Sequence, residues 1–268
     1  MNWKTKVLTG SAAAVVVALI ALVIWWPSGD GGEETLPSMP SPSAPASLAP
    51  TTVAGPVYDV AEAATLIATL RADIPAFGGP NGEETGTIAA TWHDRPKSLP
   101  VIDQRPGWFH VRLPERPNGS TAWIRSGDVD VSTTTYRIEV DVAAMRLRLF
   151  DAGEVVMDVP AGIGTDDAPT TVGNFFLAFL QEPPDTTSGW GPFVMVTSSH
   201  SETISDFEQS GDAIAAIHGP LGAAEEIGQT GAKVSHGCIR LHVEDLERLR
   251  DIPAGTPIDV VDGAVGAA

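Results

Sequence analysis

The sequence predicts a mainly β protein carried behind one membrane-spanning helix. Three observations predict it. "MRLRLF" (145–150) alternates strictly between apolar and polar residues, as a half-buried strand does. Gly, Pro and Asn turn signals punctuate residues 74–132 every several positions. "VLTGSAAAVVVALIALVIWW" (7–26) carries no charge. The composition, 43% hydrophobic and 19% charged, is that of a folded protein, and 268 residues leave room for one or two domains.

Residues 1–6 form a short N-terminus with Lys4 and Lys6. At about 1.5 Å per residue, the run 7–26 spans about 30 Å, the thickness of a bilayer core. No Lys or Arg follows it until Arg71. The positive-inside rule therefore keeps the N-terminus in the cytoplasm and exports the rest. Trp25 and Trp26 stand where an interfacial aromatic anchor belongs. A cleaved signal peptide is the competing reading, but its apolar run is about 7–15 residues and ends in a small-x-small site. The longer run here, ending in Trp-Trp-Pro, reads as an uncleaved single-pass anchor in a cytoplasmic membrane. Residues 27–56 are rich in Pro, Ser, Gly and Ala with no hydrophobic period, and read as a disordered tether.

In residues 57–73, Val60, Ala63, Ala64, Ile67 and Leu70 recur at helical spacing and predict a short helix. Residues 74–133 read as a small β unit. "GWFHVRL", the turn "PERPNGS" and "TAWIRSGDV" resemble the strands of a bacterial SH3-like barrel. Trp92, Trp108 and Trp123 there are either core residues or the lining of a ligand groove. From 134 to 262 the strands lengthen: "IEVDV", "MRLRLF", a "DAGE" hairpin turn and "TTVGNFFLAFL". "VEDLERLRDIPAGTPIDVVD" reads as a short helix, a turn and a last strand. Residues 263–268 are a flexible tail.

The formal net charge is -18, which argues against nucleic acid as a partner, since phosphate binding needs clustered Lys and Arg.

The chain has 1 cysteine, Cys238, in "KVSHGCIRLH" (233–242). It has no disulfide partner within the chain. In an exported protein, a solitary cysteine is a candidate reactive thiol. A free thiol near pKa about 8.5 is only slightly ionised at neutral pH. A neighbouring imidazole that takes its proton yields a thiolate–imidazolium pair, and the imidazolium can later protonate a leaving amine. His218 and His236 are the candidates. Gly237 has no side chain, so a carbonyl can approach, and the adjacent amides can face an oxyanion. A metal site from Cys238, His236, His242 and His218 lacks the paired ligand spacing of structural zinc, so no metal and no cofactor is expected. His242 reads as a strand or helix-start residue outside the site. His93, His110 and His200 read as surface or loop residues.

"IHG" (217–219), then sixteen residues after His218, "SHGCIRL" (235–241), resembles the L,D-transpeptidase catalytic (YkuD-type) domain. "PTTVGNFFL" (169–177) and "GTPIDVV" (255–261) are similar to two of that family's strands. The resemblance spans 134–262 and implies a β-sandwich with short helices. It implies that Cys238 is the nucleophile attacking a peptidoglycan tetrapeptide stem at its diamino acid. D-Ala would leave, giving a thioester, and a neighbouring stem's amine would resolve it as a 3→3 cross-link. It implies that His218 donates and accepts the proton, His236 shapes and supports the site, and amides near Gly237 form the oxyanion hole. Arg240, Ser235, Gly219 and Trp190 are the implied substrate-binding residues, Arg240 through a substrate carboxylate. Some members follow the first His with Ser or Thr, whose oxygen orients the ring. Gly219 stands there instead, so a backbone carbonyl must fix the tautomer. Water as the resolving nucleophile would make an L,D-carboxypeptidase, and a non-catalytic wall-binding protein is the third reading.

Overall fold

The computed structural model describes residues 55–183, 187, 189–207 and 211–263. The expected anchor (7–26), most of the tether (27–56) and most of the tail (263–268) lie outside them. Among the described residues no helix is long and apolar enough to cross a membrane.

The N-terminal half is built from β1 (Thr65–Leu70), β2 (Ile74–Phe77), β3 (Glu84–Ile88), β4 (Thr91–Trp92), β5 (Arg95–Pro96), β6 (Ser98–Arg105), β7 (Trp108–Arg112), β8 (Thr121–Arg125) and β9 (Val129–Thr134). Seven of these form one antiparallel sheet in the order β3-β2-β8-β7-β6-β1-β9, and β4 pairs with β5 as a separate hairpin. Phe109, Val111, Ala122 and Ile124 alternate inward along β7 and β8 and form its core with Leu66, Ala68 and Leu70.

The helix expected in 57–73 is absent. Thr65–Leu70 is a strand, paired with β6 through Ile67↔Pro100 and with β9 through Ile67↔Ser132. The apolar residues of "TLIATL" fill both faces, and so mimic a helical period. Leu66, Ala68 and Leu70 face the unit's own core. Ile67 is buried on the opposite face, against Gly255 of the C-terminal half.

The C-terminal half comprises β10 (Tyr136–Asp141), β11 (Arg146–Asp151), β12 (Glu154–Pro160), β13 (Gly162–Gly164), β14 (Gly173–Gln181), β15 (Val194–His200), β16 (Ile214–His218), α1 (Ala224–Ile227), β17 (Ala232–Ser235), β18 (Ile239–Arg240), α2 (Val243–Glu247) and β19 (Pro257–Val261). Its strands run in the order β12-β11-β10-β19-β14-β15-β16-β18-β13-β17. "DAGE" makes the expected hairpin: Ala152 and Gly153 take φ 49° and 86° between β11 and β12. In "MRLRLF", Leu147 and Leu149 are buried and Arg146 and Arg148 half-exposed, as the alternation predicts.

The halves belong to one contact unit. Along β14, Phe175 and Leu177 enter the C-terminal core, while Phe176 between them enters the core of the N-terminal half. Full burial of such a ring contributes about 1.5–3 kcal/mol. The three tryptophans have different surroundings. Trp108 is buried at 2% exposure, Trp92 packs edge-on to Phe179, and Trp123 stacks on His110 at 4.8 Å.

Candidate active site

Strands β16 and β18 bring the two sequence-distant motifs together. They pair in parallel, with Ile217 opposite Ile239 and His218 opposite Arg240. Residues paired across a ladder share a face. His218 and Arg240 therefore project the same way, and Cys238, two residues before Arg240, opens into the same cavity. That cavity, of about 270 Å³, is lined by Cys238, His218, Arg240, His236 and Trp190 among others.

His218 is 1% exposed. Its Nδ1 lies 2.8 Å from the carbonyl oxygen of Gly219. A carbonyl only accepts, so Nδ1 carries the hydrogen and Nε2 is left with the lone pair. This is the backbone orientation expected where no Ser or Thr follows the histidine. Burial pushes His218 down to about 4, the Gly219 hydrogen bond opposes this, and Arg240 adds to it. Burial pushes the Cys238 thiol up, with a backbone hydrogen bond from Ala216 and the charge of Arg240 pulling the other way. Both shifts favour a neutral thiol beside a neutral imidazole. The thiolate–imidazolium pair expected from the motif is thus disfavoured at rest, because separated charge is costly away from water. Proton transfer is then coupled to attack.

Gly219 approaches its neighbours too closely for a side chain. A Cβ there would lie 2.6 Å from Gly189 O and 2.7 Å from Gly191 N. Its amide donates to Trp190 O at 2.7 Å, and the Leu221 amide to Gly189 O at 3.0 Å. Gly219 has two structural duties: its carbonyl holds His218, and its bare Cα admits the segment 189–191. Trp190, expected over the substrate, lines the cavity but covers His218, with 4.5 Å between ring centroids.

The turn before Cys238 is closed from inside. Gly237 takes φ +113°, a conformation that disfavours any side chain. Its amide donates to Ser235 Oγ at 3.1 Å, and Ser235 Oγ donates to Cys238 O at 2.6 Å. The Gly237 amide is engaged and is not a free oxyanion donor in this state. Ser235 is 2% exposed, with its hydroxyl spent on the turn rather than offered to substrate. Thr170, which the sequence did not mark, accepts from the Gly164 amide at 2.9 Å and donates to Gly237 O at 3.0 Å.

His236 is exposed at the rim, 6.1 Å ring to ring from Phe207. Arg240 is half-buried. Its Nε has no hydrogen-bond partner, its Nη1 reaches only Pro220 O at 3.5 Å, and no carboxylate pairs with it among the described residues. Burial lowers its pKa, partly offset by Cys238. His242 stands at the start of α2, its Nε2 2.9 Å from Gly228 O, outside the cavity as expected. His200 contradicts its reading as a surface residue. It is 3% exposed, with Nδ1 2.8 Å from Asp212 Oδ2. Its partners Pro114, Asn118 and Asp212 come from connecting segments, which no local motif announces.

A lone thiol, a buried imidazole with its basic nitrogen kept free, and a β scaffold that pairs their strands define a cysteine acyl-transfer domain. Residues 135–260 match the family model of the L,D-transpeptidase catalytic domain (YkuD). That segment is an L,D-transpeptidase catalytic domain, an acyltransferase of a family acting on peptidoglycan stem peptides. No curated protein matches the sequence. Among solved structures, an L,D-transpeptidase from Mycobacterium smegmatis is 18% identical, with 61% of this chain and 82% of that chain covered and a TM-score of 0.38. L,D-transpeptidase 1 of Mycobacterium tuberculosis is 19% identical, with 53% and 77% covered and a TM-score of 0.32. The catalytic domain of the E. faecium L,D-transpeptidase is 21% identical, with 47% and 96% covered and a TM-score of 0.34. At these identities and scores the assignment rests on the family match and on the site itself.

Proposed function

We propose that the chain is a membrane-anchored L,D-transpeptidase that cross-links peptidoglycan through a Cys238 thioester. The observation that carries this is His218 in one cavity with Cys238, its Nδ1 pinned by Gly219 O at 2.8 Å. His218 Nε2 takes the thiol proton as sulfur attacks the carbonyl joining the diamino acid to D-Ala. The carbon–nitrogen bond then breaks, and the same proton passes to the departing amine of D-Ala. A neighbouring stem's amine attacks the thioester, gives its proton to His218 and displaces the thiol, leaving a 3→3 cross-link. Arg240, a cation without a carboxylate partner among the described residues, supports recognition of a substrate carboxylate. His236 shapes the rim. Residues 7–26 anchor the chain with its N-terminus in the cytoplasm, 27–56 tether it, and the unit at 74–133 is an SH3-like module ahead of the catalytic domain at 134–262.

The test is incubation of the full-length protein in detergent with a disaccharide-tetrapeptide, read by mass. Dimer with loss of D-Ala supports transpeptidation, and tripeptide alone indicates hydrolysis. Equal inertness of wild type and Cys238→Ala sinks the enzymatic reading. Deletion of residues 7–26 moves the protein from the membrane to the soluble fraction.

A further inference from the structure

The turn joining β7 to β8 runs from the N-terminal half onto the wall of the active-site cavity. Asn118 meets His200 as a strand partner would: Nδ2 donates to His200 O at 2.8 Å, and Oδ1 accepts the His200 amide at 2.9 Å. Arg116 donates from Nη1 to Ser201 O at 3.0 Å and from Nε to Asp212 Oδ1 at 2.8 Å. The other carboxylate oxygen of Asp212 lies 2.8 Å from His200 Nδ1, and His200 Nε2 lies 3.3 Å from Pro114 O. Burial pushes the Asp212 carboxyl up, but Arg116, the Ala213 amide and His200 more than offset it and leave it below the ordinary range.

One guanidinium thus fixes both ends of the excursion between β15 and β16. Ser201 at one end and Ala213, next to Asp212, at the other both line the cavity. β16 starts directly after Ala213 and ends at His218. The side chains of Arg116 and Asp212 are 41% and 31% exposed, so the pair contributes little to overall stability. Its effect is geometric.

We propose that Arg116 and Asn118 are positioning residues for acyl transfer, through which the N-terminal half sets the cavity wall that receives the stem peptide. The inference deepens the proposed function and rests on it. The N-terminal half is then part of the substrate site rather than only a spacer.

The test uses full-length wild type, Arg116→Ala, Arg116→Lys, Asp212→Asn and the Arg116→Ala/Asp212→Asn double variant. KM and kcat are measured for the tetrapeptide donor, with iodoacetamide alkylation of Cys238 and thermal melting in parallel. Arg116→Ala is expected to raise KM on the order of tenfold, with kcat less affected. Its alkylation rate stays at the wild-type value, because a small reagent does not need the wall. Arg116→Lys recovers part of the loss, keeping the charge toward Asp212 while losing the fork. The double variant is impaired less than the sum of the two single changes, since both remove the Arg116–Asp212 contact. Arg71→Ala, in an exposed ion pair with Asp130, behaves as wild type. A folded Arg116→Ala with wild-type KM overturns the inference, and so do additive effects of Arg116→Ala and Asp212→Asn. If Arg116→Ala does not fold, Arg116→Lys decides: a raised KM supports the inference and an unchanged one overturns it. An inert wild type defeats the acyl-transfer reading itself, whereas an active wild type matched by its variants defeats only this inference.

Discussion

The indole of Trp190 lies 4.5 Å from the imidazole of His218, centroid to centroid, at an interplanar angle of 51°. The ring that the proposed chemistry needs as a base is thereby shielded on one side by another aromatic. Burial is the main reason His218 sits at about 4. Removing the indole in Trp190→Ala readmits water and raises the histidine toward its ordinary value. The acid limb of the kcat/KM profile is then expected to move to higher pH, with at most roughly a fourfold loss near pH 6. Trp190→Phe shifts it less. An unmoved limb would show that the indole does not set the basicity of His218.

Gly219→Ser would supply the hydroxyl that some relatives place after the first histidine. In this chain it is expected to harm. Its Cβ meets Gly189 O at 2.6 Å, a backbone atom with no easy way to move. Overpacking of this kind costs about 1–3 kcal/mol. The melting temperature of Gly219→Ser should fall by several degrees, with turnover falling too. A variant as stable and active as wild type would refute the close-approach account.

The thiol of Cys238 is pushed up by burial, so little thiolate exists at neutral pH. Its alkylation by iodoacetamide should be slow at pH 7 and keep climbing beyond pH 9 in the absence of substrate. A plateau below pH 8 would instead reveal a resting ion pair with His218.

His218 also links stability to pH. Its folded value, about 4, lies below the unfolded 6.5, so the unfolded chain binds the proton first as pH falls. The resulting stabilisation is full above pH 6.5 and is lost progressively down to about 4. Urea titrations of wild type and His218→Gln should therefore converge as pH falls through that window. Parallel curves would exclude the linkage.

Thr170→Val strips Gly164 and Gly237 of a shared hydrogen-bond partner in a buried turn. Leaving such groups unpaired costs about 1–3 kcal/mol. Lower thermal stability and slower Cys238 acylation by a carbapenem are expected, with Thr170→Ser close to wild type. Unaltered acylation would detach Thr170 from the geometry of the Cys238 turn.

What was legible in the sequence was local in the chain. The 145–150 alternation and the Ala152-Gly153 turn report on their own neighbours, and both appear where expected. The spacing of His218 and Cys238 was legible because parallel pairing of β16 with β18 brings together two short motifs. Residues whose surroundings come from distant chain were misread. "TLIATL" looks helical because its strand is buried on both faces, one of them against the other half. His200 looked like a surface residue, yet Pro114 and Asn118 enclose it from far away in sequence. Ser235 and Gly237 stood in a legible motif, but the hydrogen bond between them is invisible without the turn's geometry.

Phe176 has a consequence for how such a protein can change over generations. Its ring sits in the core of the N-terminal half while its strand belongs to the catalytic one. A recombination event near residue 134 would deliver a new partner whose socket was never cut for that ring. Exchange of either half alone is therefore expected to leave that ring without its socket, unless the lock and its key are replaced at once.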